Sequence, residues 1–169
     1  MNALALLLAV FLSASDSSEV TLTRTTIVVS DREASLAFYR DTLGFTVIHE
    51  GPYSGTTFHG LFNLDPAANV YFVILRSRGQ AGAMLGLLEI QGDEVTPNEQ
   101  AKSRAPSYGE TLLWFTTDNL DHDYQQLKEI DATIIAAPFD TSGGREMVAA
   151  DPDGVRLYLF EKTSQPATP

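Results

Sequence analysis

The sequence predicts an α+β protein in which two βαβββ modules form one domain, with a mixed sheet curved around a cleft. A strand, a helix and three further strands are predicted over about residues 22–91, and the same order returns over about residues 110–162. Between them, residues 92–109 are polar, contain two prolines and show little periodicity, which indicates a linker. The domain is therefore predicted to span residues 21–163, followed by a flexible tail at 164–169.

The first module begins with the β-branched run "LTRTTIVV", which favours a strand. Ser30 and Glu33 have the spacing of a capping box, so the next helix is predicted to begin at Ser30. Gly44 is predicted to end that helix, because glycine adopts the left-handed conformation without steric cost. Further strands are predicted at "FTVIHEG", "VYFVILRS" and "MLGLLEIQ", and "TTFHGLFNLDPAA" stays ambiguous.

The second module repeats this order. "ETLLWFTT" is predicted to be a strand, and Thr117 or Asp118 to cap the helix that follows it. That helix has an apolar stripe formed by Leu120, Tyr124, Leu127 and Ile130. Strands are then predicted at "ATIIAA", "REMVAA" and "VRLYLFE", the last after the tight turn "DPDG".

The N-terminus differs from the rest of the chain. Residues 3–12 are an uncharged apolar run, shorter than the roughly 20 residues that a membrane-spanning helix needs. Small residues follow at 13–15, so residues 1–15 are predicted to be a signal peptide of an exported protein, periplasmic or secreted, without stable membrane insertion after its removal. Because the segment lacks Lys and Arg, a retained N-terminal helix in a cytoplasmic protein stays open as the alternative.

Composition excludes several functional classes. The formal net charge of −11 argues against a nucleic-acid partner, since phosphate binding needs a basic surface. The absence of cysteine excludes disulfides, thiolate metal sites and cysteine nucleophiles. Three histidines are present, and one of them, His59, lies close to Phe58 and Phe62 and is predicted to pack rather than to catalyse.

Two stretches resemble the vicinal oxygen chelate superfamily, which contains glyoxalases, extradiol dioxygenases, epimerases and bleomycin-resistance proteins. "VVSDREASLAFYRDTLGF" is similar to the signature of that family's first module, and "ADPDGVRLYLFE" to the closing hairpin of its second. The resemblance covers roughly residues 22–162. It implies a cleft in which four strands each supply one ligand to a divalent metal, and it makes a homodimer a possible assembly.

The four ligand positions of that family fall on Arg24, Glu89, Thr111 and Tyr158 when they are counted from the motifs. Among them only Glu89 is a usual metal ligand, and an arginine keeps its proton and its positive charge in a protein. No cofactor is therefore expected, with Glu89 as the metal ligand if there is one. A divalent metal on a different ligand set stays open as the alternative.

The same positions suggest a hypothesis without metal, in which Arg24 pairs with Glu89 and replaces the charge of the cation. The pair is either purely structural or part of a ligand site, where Arg24 binds an anionic or carbonyl oxygen and Tyr158 donates a hydrogen bond. Phe115 shares the strand parity of Thr111 and is predicted to line the cleft, whereas Trp114 is predicted to lie in the core. Further candidates for the apolar wall are Tyr53, Tyr71 and Phe72.

The sequence thus favours a protein that binds a small organic ligand in its cleft without the usual metal-dependent catalysis, and it identifies no catalytic residue. Two alternatives stay open. One is a glyoxalase-like lyase or isomerase, or a dioxygenase, with a non-standard set of metal ligands. The other is a structural or regulatory domain without a small ligand.

Overall fold

The computed structural model describes residues 20–53, 56–79, 83–92 and 109–162. The predicted signal peptide, nearly all of the predicted linker and the predicted tail lie outside these residues. Within them, no helix is long and apolar enough to cross a bilayer.

Each module forms a four-stranded mixed sheet with a helix packed on one face. In the first module the strand order is β1-β4-β3-β2, and in the second it is β5-β8-β7-β6. The β1–β4 and β5–β8 pairs are parallel and the other pairs antiparallel. The predicted α+β architecture of two βαβββ modules is confirmed. The first module contains β1 (Thr25–Val29), α1 (Arg32–Leu36), β2 (Thr46–Pro52), α2 (Thr56–Phe62), β3 (Asn69–Arg76) and β4 (Met84–Gln91). The second contains β5 (Leu112–Thr117), α3 (Leu120–Glu129), β6 (Thr133–Asp140), β7 (Gly144–Ala150) and β8 (Arg156–Lys162).

Both main helices begin one or two residues later than predicted. The carboxylate of Asp31 caps α1 by accepting two backbone N–H groups of its first turn at 2.9 and 3.1 Å, so the predicted capping box at Ser30 is wrong. The side chain of Asn119 caps α3, not that of Asp118 or Thr117. The Thr117 hydroxyl instead accepts the backbone N–H of Asn119 at 3.1 Å.

The helix that begins as α1 continues without a break into a π-helical segment, Ala37–Thr42. There the hydrogen bonds span five residues, as in the 3.1 Å bond from the Leu43 N–H to the Phe38 carbonyl. This wider turn accompanies the burial of two consecutive aromatic rings, Phe38 and Tyr39. Gly44, at a φ of 73°, follows the helix end as predicted.

Alternation along the strands gives each sheet two distinct faces. In β1, Ile27 and Val29 are buried beneath the helices, whereas Thr26 and Val28 are exposed on the other side. We call the first side the helix-covered face and the second the uncovered face, in both sheets. The helix-covered faces of the two modules share one hydrophobic core. Within the predicted stripe of α3, Leu120 and Leu127 are fully buried, Tyr124 packs at the edge of the core and Ile130 is exposed.

A buried acid connects the two modules. The Tyr39 hydroxyl donates a 2.8 Å hydrogen bond to the carboxylate of Asp151, which lies in the turn before β8. That carboxylate also accepts the backbone N–H groups of Asp153 at 3.0 Å and Val155 at 2.7 Å. Burial raises the pKa of the Asp151 carboxyl above its ordinary value of 3.8, although the hydrogen bonds oppose the shift. Burial likewise raises the pKa of Tyr39, and the adjacent Asp151 adds to that shift.

The raised pKa of Asp151 predicts a measurable pH dependence. The folded state binds this proton more tightly than the unfolded state, so the contribution of Asp151 to the free energy of unfolding falls as pH rises from about 3.8 through the folded pKa. Asp151→Asn removes this titration. We expect the difference in free energy of unfolding, wild type minus variant, to decrease over that range when urea denaturation is measured at a series of pH values.

Asp121→Asn is the control, for which the opposite pH dependence of the free energy of unfolding is expected. The hydrogen bond from Arg145 lowers the pKa of the Asp121 carboxyl, so its contribution is lost as pH falls below about 3.8. Parallel pH profiles for the wild type and Asp151→Asn would contradict the assignment.

Candidate functional site

The uncovered face of the first sheet places an arginine on an aromatic ring. The Arg24 guanidinium lies 4.9 Å from the centroid of the Phe72 ring, within the range of a cation–π interaction. Gly86 makes room for that ring, because a Cβ at this position would lie 2.6 Å from Thr26 Oγ1 and 3.1 Å from Phe72. Among the described residues, no carboxylate forms an ion pair with Arg24. Its charge therefore lies on the surface with an aromatic neighbour.

The uncovered face of the second sheet carries a pair of stacked aromatic rings. Trp114 and Tyr158 are neighbours in the β5–β8 pairing, and their rings lie 4.7 Å apart with an interplanar angle of 8°. Trp114 is 60% exposed, and Leu112 is exposed beside it on the same strand face. A buried ion pair with a 3.0 Å N–O distance, Arg156 to Glu110, lies at the start of the same two strands. This face thus presents a flat aromatic surface bordered by charge that is already paired.

The predicted pair of Arg24 with Glu89 is wrong. Glu89 is the partner of Val29 in the β1–β4 register, whereas Thr25, the residue after Arg24, is the partner of Leu85. Leu85 and Glu89 are therefore separated by roughly 13 Å along the strand. In addition, Glu89 lies on the helix-covered face and Arg24 on the uncovered face.

The predicted positions of Trp114 and Phe115 are exchanged. Phe115 lies on the helix-covered face, where its ring centroid is 5.6 Å from that of Phe45, and Trp114 is exposed on the uncovered face. The cause is the count that places the third ligand position, since Thr111 lies seven residues before Asp118, whereas Asn119 caps α3. A shift of one residue along a strand exchanges its two faces. Thr111 lies exposed just before β5, and Tyr158 lies on the uncovered face beside Trp114.

The residues at the family's metal positions do not fit a metal site. With the corrected count, the third position moves from Thr111 to Leu112, which has no donor atom. Arg24 brings a fixed positive charge. Glu89 lies on the helix-covered face of its sheet, whereas Arg24 and Tyr158 lie on the uncovered faces of theirs. Within the described ranges, no group of three or more His, Asp or Glu side chains is arranged to hold a metal ion.

The partner of Glu89 is Arg32, a residue that the sequence did not single out. The Glu89 carboxylate accepts the backbone N–H of Arg32 at 3.1 Å and its guanidinium at 3.3 Å. It also accepts the side-chain amide of Gln91 at 3.0 Å. The Arg32 guanidinium in turn lies 3.8 Å from the centroid of the Tyr71 ring. The one signal in the sequence was the place of Arg32 at the first residue of the helix, directly after the cap.

The two acids that contact Arg32 are expected to differ in their effect on stability. Glu89 is buried, with a side chain only 9% exposed, whereas the side chain of Glu33 is 68% exposed. Glu89→Ala leaves the partly buried Arg32 guanidinium and the first N–H of α1 without this acceptor, so we expect a loss of about 1–3 kcal/mol in the free energy of unfolding. Glu33→Ala is the matched control, with an expected change within about 0.5 kcal/mol. Equal losses in urea denaturation would contradict the structural role of Glu89.

Comparison with known proteins agrees with this architecture. The model of the Glyoxalase/Bleomycin resistance protein/Dioxygenase superfamily matches residues 21–159. Comparison with the curated proteins gave no significant match.

Several solved structures share the fold. A glyoxalase family protein from Bacillus cereus superposes with a TM-score of 0.76 at 13% identity, over 88% of this chain and 97% of that one. TnmS3, an antibiotic binding protein from Streptomyces sp. CB03234, gives a TM-score of 0.58 at 23% identity, over 87% and 99%. A superfamily member from Sphaerobacter thermophilus DSM 20745 gives 0.54 at 26% identity, over 85% and 98%. The chain therefore belongs to the glyoxalase/bleomycin resistance protein/dioxygenase superfamily.

Proposed function

We propose that this protein binds a small organic ligand with a planar aromatic part on the uncovered faces of its sheets, without the usual metal-dependent catalysis of the superfamily. The observation that carries the proposal is the exposed stack of Trp114 on Tyr158. A ring held flat by a second ring is a preformed surface for a third, because stacking loses little side-chain freedom on binding.

Apolar side chains are exposed on the uncovered faces of both sheets. Leu112 and Trp114 in β5 and Val28 in β1 are all more than a third exposed, on strands whose other faces are packed in the core. Large apolar groups exposed on the surface of a soluble protein commonly mark a binding surface when they lie together, as Leu112 and Trp114 do on β5. The uncovered faces are therefore better suited to contact with an apolar ligand than to exposure to water.

Arg24 supports a preference for a ligand with an anionic or carbonyl oxygen. Its guanidinium stays protonated, lies over Phe72 and has its donors available toward solvent. The net charge of −11 opposes the approach of anions at long range, so the preference rests on this local contact. A single acidic or carbonyl group on an aromatic ring suits both features.

The comparisons are consistent with ligand binding but do not name the ligand. TnmS3 is described as an antibiotic binding protein, and the superfamily also contains glyoxalases and dioxygenases. At 23% identity, the likeness to TnmS3 supports the fold, and the choice of binding over catalysis rests on the donor set described above.

Trp114 is the only tryptophan of the chain, so its fluorescence reports directly on the proposed surface. We expect 2-naphthoate and anthraquinone-2-carboxylate to quench this emission in a saturable manner. Trp114→Ala is expected to weaken binding at least about tenfold by calorimetry, since a stacked aromatic contact is lost. Leu61→Ala, a change at an exposed apolar residue of α2, is the control and should leave the affinity unchanged. Equal affinities for all three proteins would contradict the proposal.

Arg24 is tested with a matched pair of ligands. We expect Arg24→Gln to weaken the binding of 2-naphthoate while leaving that of the uncharged 2-naphthalenemethanol nearly unchanged, because only the first offers a carboxylate to the guanidinium. Calorimetric titration of both ligands gives the two ratios. A loss that is equal for the acid and the alcohol would assign Arg24 to general packing.

A homodimer that covers Trp114 would give a different result. Emission would then shift with protein concentration in the absence of ligand, together with the elution volume in gel filtration. A concentration-independent spectrum is expected for a surface that is open to a small ligand.

The metal-free part of the proposal is tested by elemental analysis of the purified protein. We expect zinc, iron, nickel and manganese to be far below one equivalent, and EDTA to leave the affinity for 2-naphthoate unchanged. One equivalent of any of these metals, lost together with ligand affinity on chelation, would contradict it.

A further inference from the structure

The first module contains an inserted helix that the second module lacks. In the first module, residues 53–68 connect β2 to β3 and include α2, whereas only residues 141–143 connect the corresponding strands β6 and β7. Beneath α2 lies a pocket of about 690 Å³, within the range typical of small-molecule sites. This pocket, which we call the α2 pocket, is lined by Arg32, Tyr71 and Glu89 from the helix-covered side of the sheet. It is thus separate from the uncovered faces.

Charge in the α2 pocket is balanced. Arg32 and Glu89 are paired at 3.3 Å, and the other lining side chains are neutral apart from His59, whose Nε2 lies 2.9 Å from the carbonyl oxygen of Ala68. A ligand with a net charge would therefore lose hydration without gaining an unpaired opposite charge. The pocket favours an uncharged ligand.

The polar groups of the pocket suit hydroxyl groups. Three residues with side-chain amides, Asn63, Asn69 and Gln91, line it, and Gln91 already donates to Glu89 at 3.0 Å. An amide both donates and accepts, as a hydroxyl does. Glu89 Oε1 accepts one hydrogen bond, from the Arg32 backbone, which leaves an acceptor position on a buried and oriented carboxylate. A hydroxyl that donates to a carboxylate forms one of the stronger hydrogen bonds in proteins.

The apolar part of the pocket suits the C–H face of a saturated ring. Tyr53 and Tyr71 contribute aromatic surface, and Pro52 and Pro66 contribute flat aliphatic surface. The Tyr71 ring is held in place by the Arg32 guanidinium at 3.8 Å and by its own hydroxyl, which donates to Glu50 at 3.3 Å. The pocket therefore combines flat apolar walls with amide and carboxylate groups.

We propose that the α2 pocket is a binding site for an uncharged sugar or glycoside. The ring hydroxyls bond to the amides and to Glu89, and the C–H face packs on the tyrosine and proline surfaces. The site is independent of the uncovered faces, since Glu89 and Arg24 lie on opposite sides of the first sheet.

The test uses the whole protein and a panel of defined sugars: methyl α- and β-glucoside, methyl galactoside, N-acetylglucosamine, maltose and lactose. We expect at least one of them to bind with one-to-one stoichiometry in calorimetry and to show saturation-transfer signals from its ring protons. Glucuronate and glucosamine, which carry a charge, are expected to bind more weakly than their neutral counterparts.

Variants locate the binding. Asn63→Gly and Gln91→Leu change exposed side chains outside the core, and glycine keeps the φ of 52° that Asn63 adopts. Each is expected to weaken binding of the sugar by about three- to tenfold. Leu61→Ala, on α2 but outside the pocket lining, should leave the affinity unchanged, and so should Trp114→Ala. The last control separates this site from the proposed aromatic site, because each can fail without the other. The proposal is overturned if no sugar of the panel binds at millimolar concentration, or if binding is insensitive to both Asn63→Gly and Gln91→Leu.

Discussion

The hydrogen bonds of Asp151 determine how the two modules lie against each other. A carboxylate buried to this degree is tolerated only when its oxygens are bonded, and here one donor is the Tyr39 hydroxyl of the other module. The neighbouring Asp153 carboxylate adds a second connection by accepting the backbone N–H of Ser30. These bonds hold the helix side of one module against that of the other. Among residues 20–53, 56–79, 83–92 and 109–162, no helix packs on the opposite sheet faces, which carry the aromatic groups proposed to bind ligand.

Element order could be predicted from the sequence, but the faces of the strands could not. Periodicity and β-branched runs located both modules, because those signals extend over many residues. A helix cap is a choice between adjacent residues with similar oxygens, such as Asp118 and Asn119, and tertiary context decides it. An error of one position there transferred Trp114 to the core and Phe115 to the cleft. The position of the second cap therefore decided which face was assigned to Thr111, Trp114 and Phe115.

The predicted pair of Arg24 with Glu89 is wrong, because Glu89 pairs with Arg32. Residues Leu85 to Glu89 are all buried, so alternation within β4 gives no sign of which face Glu89 occupies. The parallel register with β1 determines it, and that register is a tertiary feature. Arg32 reaches Glu89 because the cap at Asp31 places it at the start of α1. Without that register, the sequence alone cannot decide whether Arg24 or Arg32 reaches Glu89.

The two modules differ most where the first carries its α2 pocket. In each, a glutamate of the closing strand lies beside the last residue of the first strand: Glu89 beside Val29, and Glu161 beside Thr117. The position that Tyr71 occupies next to Glu89 is taken in the second module by Arg145, which forms exposed ion pairs with Glu161 and Asp121. The second module thus pairs its partly exposed glutamate directly with Arg145, and it has no counterpart of α2 between β6 and β7. In the first module a tyrosine occupies that position, the guanidinium comes from α1, and α2 encloses the space above them. Duplication accounts for the glutamate, and the insertion of α2 turns its surroundings into a pocket.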